Sequence, residues 1–87
     1  MQNDEELIAG SMDGDVRAQK ALYEKYAALL MGISYRYARN HTDAEDILQD
    51  AFLKIFQSLS RFRFEGSFEG WMRRIVVTTA LNYMNRS

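Results

Sequence analysis

The sequence predicts an all-α fold, a compact bundle of about four helices. Three observations carry this. The 87 residues contain no proline and only five glycines, so little interrupts a helix. Apolar residues recur every three or four positions along most of the chain, the spacing of one helix face. The β-branched run Val76-Val77-Thr78-Thr79 is short and falls inside such a register, and no segment alternates with the period of a strand.

Each element follows in turn. Asp4 to Met12 places Leu7, Ile8 and Met12 at helical spacing; Gly10 weakens this short helix and Gly14 ends it. Asp15 stands where an N-cap belongs, its carboxylate able to accept from the orphan amides of a second helix, Val16 to Arg39. That helix carries the stripe Ala18, Leu22, Tyr26, Leu29, Leu30, Ile33 and Tyr37. Asn40 can stop it. Thr42-Asp43-Ala44-Glu45 then reads as a capping box for a third helix, which runs to about Ser60 with Ala44, Ile47, Leu48, Ala51, Phe52, Ile55 and Leu59 on its core side. Arg61 to Gly66 has no clean period and reads as a loop. Ser67 caps a last helix, Phe68 to about Asn85, with Met72, Val76, Ala80, Tyr83 and Met84 on its core side.

The expected organisation is one helical domain over residues 1–87, of a size that buries roughly 60–65% of its extended surface. Apolar residues make up 47% of the chain and charged residues 26%, a balance that excludes an intrinsically disordered chain. There is no cysteine, which removes disulfides, thiolate zinc sites and thiol nucleophiles together and suits a reducing cytoplasm. No apolar run approaches the roughly 20 residues of a membrane span, and the acidic N-terminus is not a secretory signal. The net charge of −1 hides alternating blocks. Residues 1–15 and 43–60 are acidic. Residues 16–42 are basic, and so are residues 61–87, where Arg61, Arg63, Arg73, Arg74 and Arg86 outnumber Glu65 and Glu69. Different faces therefore suit different partners, or the blocks neutralise one another inside the bundle.

Catalysis finds little to work with. His41 is the one histidine. Asp43, Glu45 and Asp46 lie near it, but helix-dipole logic already accounts for acids that open a helix. No phosphate-cradling glycine motif or paired metal-binding histidine motif occurs. The sequence therefore predicts no enzyme, no metal and no cofactor.

Two faces could carry binding. On the third helix, away from its core stripe, Asp46, Gln49, Asp50, Leu53 and Phe56 fall together. An apolar residue ringed by carboxylates and an amide suits a docking partner; the plainer alternative is a solvated face carrying one leucine. Farther on, the arginines of residues 61–87 are interleaved with Phe62, Phe64, Phe68 and Trp71. Cations among aromatics suit single-stranded nucleic acid, because guanidinium groups neutralise phosphate and rings stack on unstacked bases. Trp71, Arg74, Thr78, Asn82 and Asn85 share one side of the last helix. Glu65, Gly66 and Ser67 adjoin its N-terminal end, where short polar groups could bond the edge of an extruded base. The alternative is that the aromatics close the core, which the pattern favours for Phe62 and Phe68.

The run DAEDILQDAFLK at residues 43–54 resembles the signature segment of bacterial sigma factors of the extracytoplasmic-function (ECF) type. FEGSFEGWMRRI at residues 64–75 resembles their promoter-melting segment, and ALYEKY at residues 21–26 fits their first conserved helix. The resemblance spans about residues 5–86. It implies the all-helical domain called region 2, which docks on the β′ clamp coiled coil of RNA polymerase core and recognises the promoter −10 element as a non-template single strand, capturing a flipped base. By the same resemblance the polymerase-binding residues are Asp46, Gln49, Asp50, Leu53 and Phe56. The DNA-binding residues are Arg63, Phe64, Glu65, Gly66, Ser67, Phe68, Trp71, Arg74, Thr78 and Asn82. It also implies an anti-sigma factor as a class of partner. Family members often carry asparagine at the position of Thr78 and a basic residue at that of Asn85. They normally add a second, −35-binding domain that has no counterpart in this chain. The competing reading is a helical protein–protein interaction bundle that binds no nucleic acid; a small metal-dependent hydrolase around His41 is a distant third.

Overall fold

A computed structural model describes residues 3–85. Four helices occupy them: α1 Asp4–Met12, α2 Val16–Tyr37, α3 His41–Ser58 and α4 Phe68–Met84, with a single 3-10 turn, Leu59–Arg61, after α3. No strand occurs among the described residues. The all-α bundle is the fold observed.

Capping sets where the helices begin. The Asn3 side chain accepts from the Glu6 amide at 2.9 Å, and three acids occupy the first turn of α1, where the helix dipole favours them. Asp15 caps α2 as expected, accepting from the Arg17 amide at 2.9 Å. The start of α3 differs from the capping box expected at Thr42. Asn40 is the cap, its side-chain oxygen accepting from the Asp43 amide at 2.8 Å, and the helix opens at His41. Both residues can cap. Asn40 does so because α2 stops early: Ala38 turns extended (φ −80°, ψ 149°), so α2 ends at Tyr37 and not at Arg39. Asn40, itself extended, is then the residue whose side chain reaches the next free amide. Ser67 caps α4, accepting from the Gly70 amide at 3.1 Å.

The core lies between α2, α3 and α4, with α1 packed on α2. Every residue of the expected α3 stripe is buried: Ala44, Ile47, Leu48, Ala51, Phe52, Ile55 and Leu59. On α2, Leu22, Leu30 and Ile33 are buried, whereas Leu29 and Tyr37 are half-buried at the edge. On α4, Met72, Val76 and Ala80 are buried, joined by Thr79, which the expected stripe omits. Burying that hydroxyl costs little because it donates to the Ile75 carbonyl at 2.6 Å. Gly10 is a packing requirement as much as a helix weakness, since a Cβ there would meet the Ala18 Cβ at 2.7 Å. The Asp4 carboxylate adds a polar tie between α1 and α2, accepting from Lys25 Nζ at 2.6 Å and from the Tyr26 hydroxyl at 2.5 Å.

Ile55 is 0% exposed while Leu53, two residues away, is 60% exposed. Truncating Ile55 leaves a cavity; truncating Leu53 removes atoms already in water. We expect Ile55→Ala to lower the unfolding free energy by about 2–5 kcal/mol and Leu53→Ala to change it by less than about 0.5 kcal/mol. Urea unfolding monitored by circular dichroism measures both. Equal losses would contradict the assignment of the two faces.

Candidate functional site

Helix α3 presents two surfaces because its apolar stripe takes only one side. Opposite that stripe, Asp46, Gln49 and Leu53 are exposed, with Asp50 and Phe56 half-buried beside them. The Phe56 ring is tilted against Phe52 at 5.9 Å, and Phe52 against Tyr23 of α2 at 4.7 Å, so an aromatic chain forms the α2 side of this face. On the α4 side, Asp46 at 3.0 Å and Asp43 at 3.2 Å share the one proton that the Tyr83 hydroxyl can donate. Asp43 also accepts from Arg39 at 3.2 Å. The five residues of the expected docking face thus lie together, but Asp46 is already engaged by Tyr83.

These bonds shift two titrations. The bond to Asp46, with burial and the bond to Asp43, pushes the Tyr83 phenol up to about 12. For Asp43, burial raises the pKa; the hydrogen bonds from Arg39 and Tyr83 and the Arg39 charge outweigh it and hold the carboxyl below its ordinary value.

The second site is built by the segment between α3 and α4. The Phe62 amide donates to the Leu59 carbonyl at 3.1 Å, ending the 3-10 turn. Phe64 and Gly66 both take left-handed backbone, φ 58° and 92°. For glycine this is free; for a bulky aromatic it carries strain. The segment therefore bends back toward α4 within a few residues. Phe62 holds it down, its ring 5.1 Å from Phe68, 5.4 Å from Trp71 and 4.9 Å from Phe64. Between the loop and the start of α4 opens a cavity of about 410 Å³, lined by Arg61, Phe62, Arg63, Glu65, Gly66, Ser67, Gly70, Trp71 and Arg74. Three arginines face one carboxylate there.

The expected DNA-binding residues divide accordingly. Arg63, Glu65, Gly66, Ser67, Trp71 and Arg74 converge on this one cavity. Thr78 joins Trp71 and Arg74 one turn farther along α4, in an adjoining groove of about 420 Å³. Asn82 lies another turn on, exposed, and lines neither. Phe64 is 52% exposed on the loop. Phe68 is only 6% exposed, packed edge-on against Tyr26 and stacked on Trp71 at 5.7 Å. It supports the cavity wall from behind and offers no face to a ligand, in keeping with the core role the aromatic pattern favoured for it. Arg86 lies outside the described residues. Sequence reasoning counted Arg61 in the arginine–aromatic pattern but missed Gly70 in the cavity and Lys54 and Ser58 in the groove. Lys54 and Ser58 are four apart on the flank of α3, and Lys54 is the single base in an acidic block, which was the signal available.

Among the described residues, no three histidine, aspartate or glutamate side chains gather where they could hold a metal ion, and no helix is long and apolar enough to cross a membrane. The Tyr35 hydroxyl and Glu45 both bond the His41 ring.

Comparison with known proteins gives the family. Residues 22–87 match the Sigma-70 region 2 family. The RNA polymerase sigma-H factor of Pseudomonas aeruginosa is 32% identical over 83 residues, covering 95% of this chain and 43% of that protein. The ECF RNA polymerase sigma-E factor of Haemophilus influenzae is 35% identical over 81 residues, covering 93% of this chain and 42% of that protein. The chain thus spans less than half the length of these curated relatives. Among solved structures, an engineered region 2 of sigmaE in complex with GTAAAA superposes with a TM-score of 0.86 at 31% identity, over 97% of this chain and 87% of that one.

The Asp43 arrangement sets an acid limit on stability. A carboxyl whose pKa lies lower in the folded chain than its unfolded value near 3.9 stabilises the fold above that value, and the contribution is lost as pH falls through the folded pKa. Asp4 has the same sign, burial being outweighed by Lys25 and Tyr26. We expect a melting temperature that is nearly level from neutral pH to about 5 and falls below about 4. Asp43→Asn should lower it at neutral pH and shrink the acid drop. Calorimetric melts from pH 7 to 3 check this; a fold that gains stability on acidification contradicts it.

Proposed function

The chain belongs to the Sigma-70 region 2 family, and from that premise we propose that it is the part of an ECF-type sigma factor that joins RNA polymerase to the promoter −10 element. On this reading it works in the cytoplasm as a binding protein and not as an enzyme. The observation that carries the proposal is the cavity between the loop and α4, where an indole, three arginines and short polar groups converge. A base drawn out of a duplex needs a flat apolar surface, edge hydrogen bonds and charge for its phosphates, and this cavity offers all three. It accounts for the aromatic–arginine pattern that an interaction bundle without nucleic acid leaves unexplained.

In the proposed mechanism the face of Gln49, Asp50, Leu53 and Phe56, with Asp46 at its border, docks on the β′ clamp coiled coil. Leu53 is the apolar anchor and the acids select a basic partner. The loop and α4 then take the non-template strand. Arg63 and Arg74 neutralise its phosphates, Trp71 covers the extruded base, and Glu65, Gly66 and Ser67 bond its edge. Unstacking costs a few kcal/mol per step, offset by the contacts made in the cavity. An anti-sigma factor would act by covering either face.

The test uses a purified clamp fragment and labelled single-stranded hexanucleotides, including GTAAAA, the sequence in the sigmaE complex. The wild-type chain should bind the clamp and recruit the strand. Asp50→Arg should abolish clamp binding, and Leu53→Ala should weaken it by about 1–3 kcal/mol with the fold intact. If neither wild type nor variant binds the clamp, the chain is instead a generic interaction bundle. A second expectation concerns double-stranded promoter DNA. The chain carries a net charge of −1 with a local basic face, so counterion release on duplex binding is small. Duplex alone should give no detectable mobility shift at physiological salt; tight, salt-resistant duplex binding would contradict the mechanism.

A further inference from the structure

One acid on the outer face of α3 is already held by the fold. Asp46 accepts from the Tyr83 hydroxyl at 3.0 Å, and among the described residues it has no other hydrogen-bond or ion-pair partner. Gln49 and Asp50, on the same face, have none at all among the described residues. Tyr83 belongs to the other helix of the pair, near the end of α4. Its half-buried ring packs against the core, so the hydroxyl sits on a fixed support.

The phenol has one proton and two acceptors, Asp46 Oδ2 and Asp43 Oδ1. The two acids differ in what else they have. Asp43 is 8% exposed, and Arg39 Nε donates to its second oxygen at 3.2 Å. Its charge is met without the phenol. Asp46 has no other donor and the shorter contact, so it takes the larger share of the proton. A carboxylate offers about four acceptor sites on its two oxygens. Tyr83 uses one of them, on Oδ2, and Oδ1 keeps its capacity for an incoming donor. A phenol suits this task. It is uncharged, so it orients the carboxylate without cancelling the charge that a basic partner needs. With its pKa pushed up to about 12, it remains a donor at physiological pH.

We propose that Tyr83 is a positioning residue for docking, its hydroxyl holding the Asp46 carboxylate in one attitude before the partner arrives, while Arg39 satisfies Asp43 and leaves the phenol to Asp46. The inference rests on the proposed docking of this face on polymerase and deepens it. An exposed acid loses rotamer freedom when a partner captures it, and an acid held beforehand has less to lose. The assignment gives a docking role to a residue of α4, the helix that otherwise serves the DNA surface. Neither Tyr83 nor Arg39 is among the docking residues that the family resemblance implied.

The experiment measures the affinity of this chain for RNA polymerase core. It compares the wild type, Tyr83→Phe, Asp46→Ala and the double variant, with NMR spectra to confirm the fold of each. Tyr83→Phe keeps the ring and removes the proton. It should weaken binding about three- to tenfold. In the Asp46→Ala background the same change should have no effect, because the carboxylate it acts through is gone. An equal loss in both backgrounds would make Tyr83 a support of α4 and overturn the proposal. So would a Tyr83→Phe variant that binds as tightly as the wild type or more tightly, the phenol then being a bystander or a competitor. If Asp46→Ala alone matches the wild type, Asp46 lies outside the interface and only this inference fails. If the wild type binds no core, the docking reading fails with it.

Discussion

The Phe62 ring, 9% exposed, sits where the end of α3, the loop and the start of α4 meet, and both sides of the candidate DNA surface depend on it. It contacts Phe68, Trp71 and Phe64 at once. A loop with two left-handed residues has no hydrogen-bonded ladder of its own. Its shape is fixed by what it can bury, and Phe62 is what it buries. The same ring props Trp71 from one side while Phe68 stacks on it. The indole is thereby held in one attitude, although it belongs to the first exposed turn of a helix. Aromatic burial substitutes here for secondary structure in positioning the candidate surface.

Helix α3 shows how one element serves several demands without conflict. Its core stripe is complete and tightly buried, so most of the remaining positions need not serve the core. They divide into an outer face centred on Leu53 and a flank toward α4 that carries Lys54 and Ser58. The flank is tied to α4 at the N-terminal end by Tyr83, which bridges Asp43 and Asp46. Asp46 is thus oriented by the helix that carries the proposed strand contacts. Helices α3 and α4 are tied by two independent means, apolar packing and a shared phenol–carboxylate network at one end.

Most of the fold was legible because it rests on local rules. Four helices, two of the four caps and the whole α3 stripe follow from spacing and side-chain chemistry within a few residues. The misplaced cap shows the limit of such rules. Asn40 and Thr42 are both competent, and the choice turns on where α2 lets go of its backbone, at Ala38, which no cap rule contains. The site was legible in composition and less so in geometry. The arginine–aromatic pattern pointed to the loop where the cavity opens and favoured the core for Phe68, but a helical wheel cannot show that Phe64 adopts a left-handed backbone. Nor can it show that Tyr83 reaches Asp46 across 37 residues of chain. Lys54 was counted only as a lone base among acids, because the groove it lines exists only once α3 and α4 are set side by side.

The position of Trp71 has a further consequence. It is the one tryptophan in the chain, and it forms part of the wall of both the cavity and the adjoining groove. An indole is the natural chromophore most sensitive to what lies against it, and a nucleobase stacked on an excited indole drains its emission. The fold therefore sets an optical gauge of occupancy where the cavity and the groove meet, and a ligand in either would register on it. The five tyrosines emit at shorter wavelengths and do not obscure it.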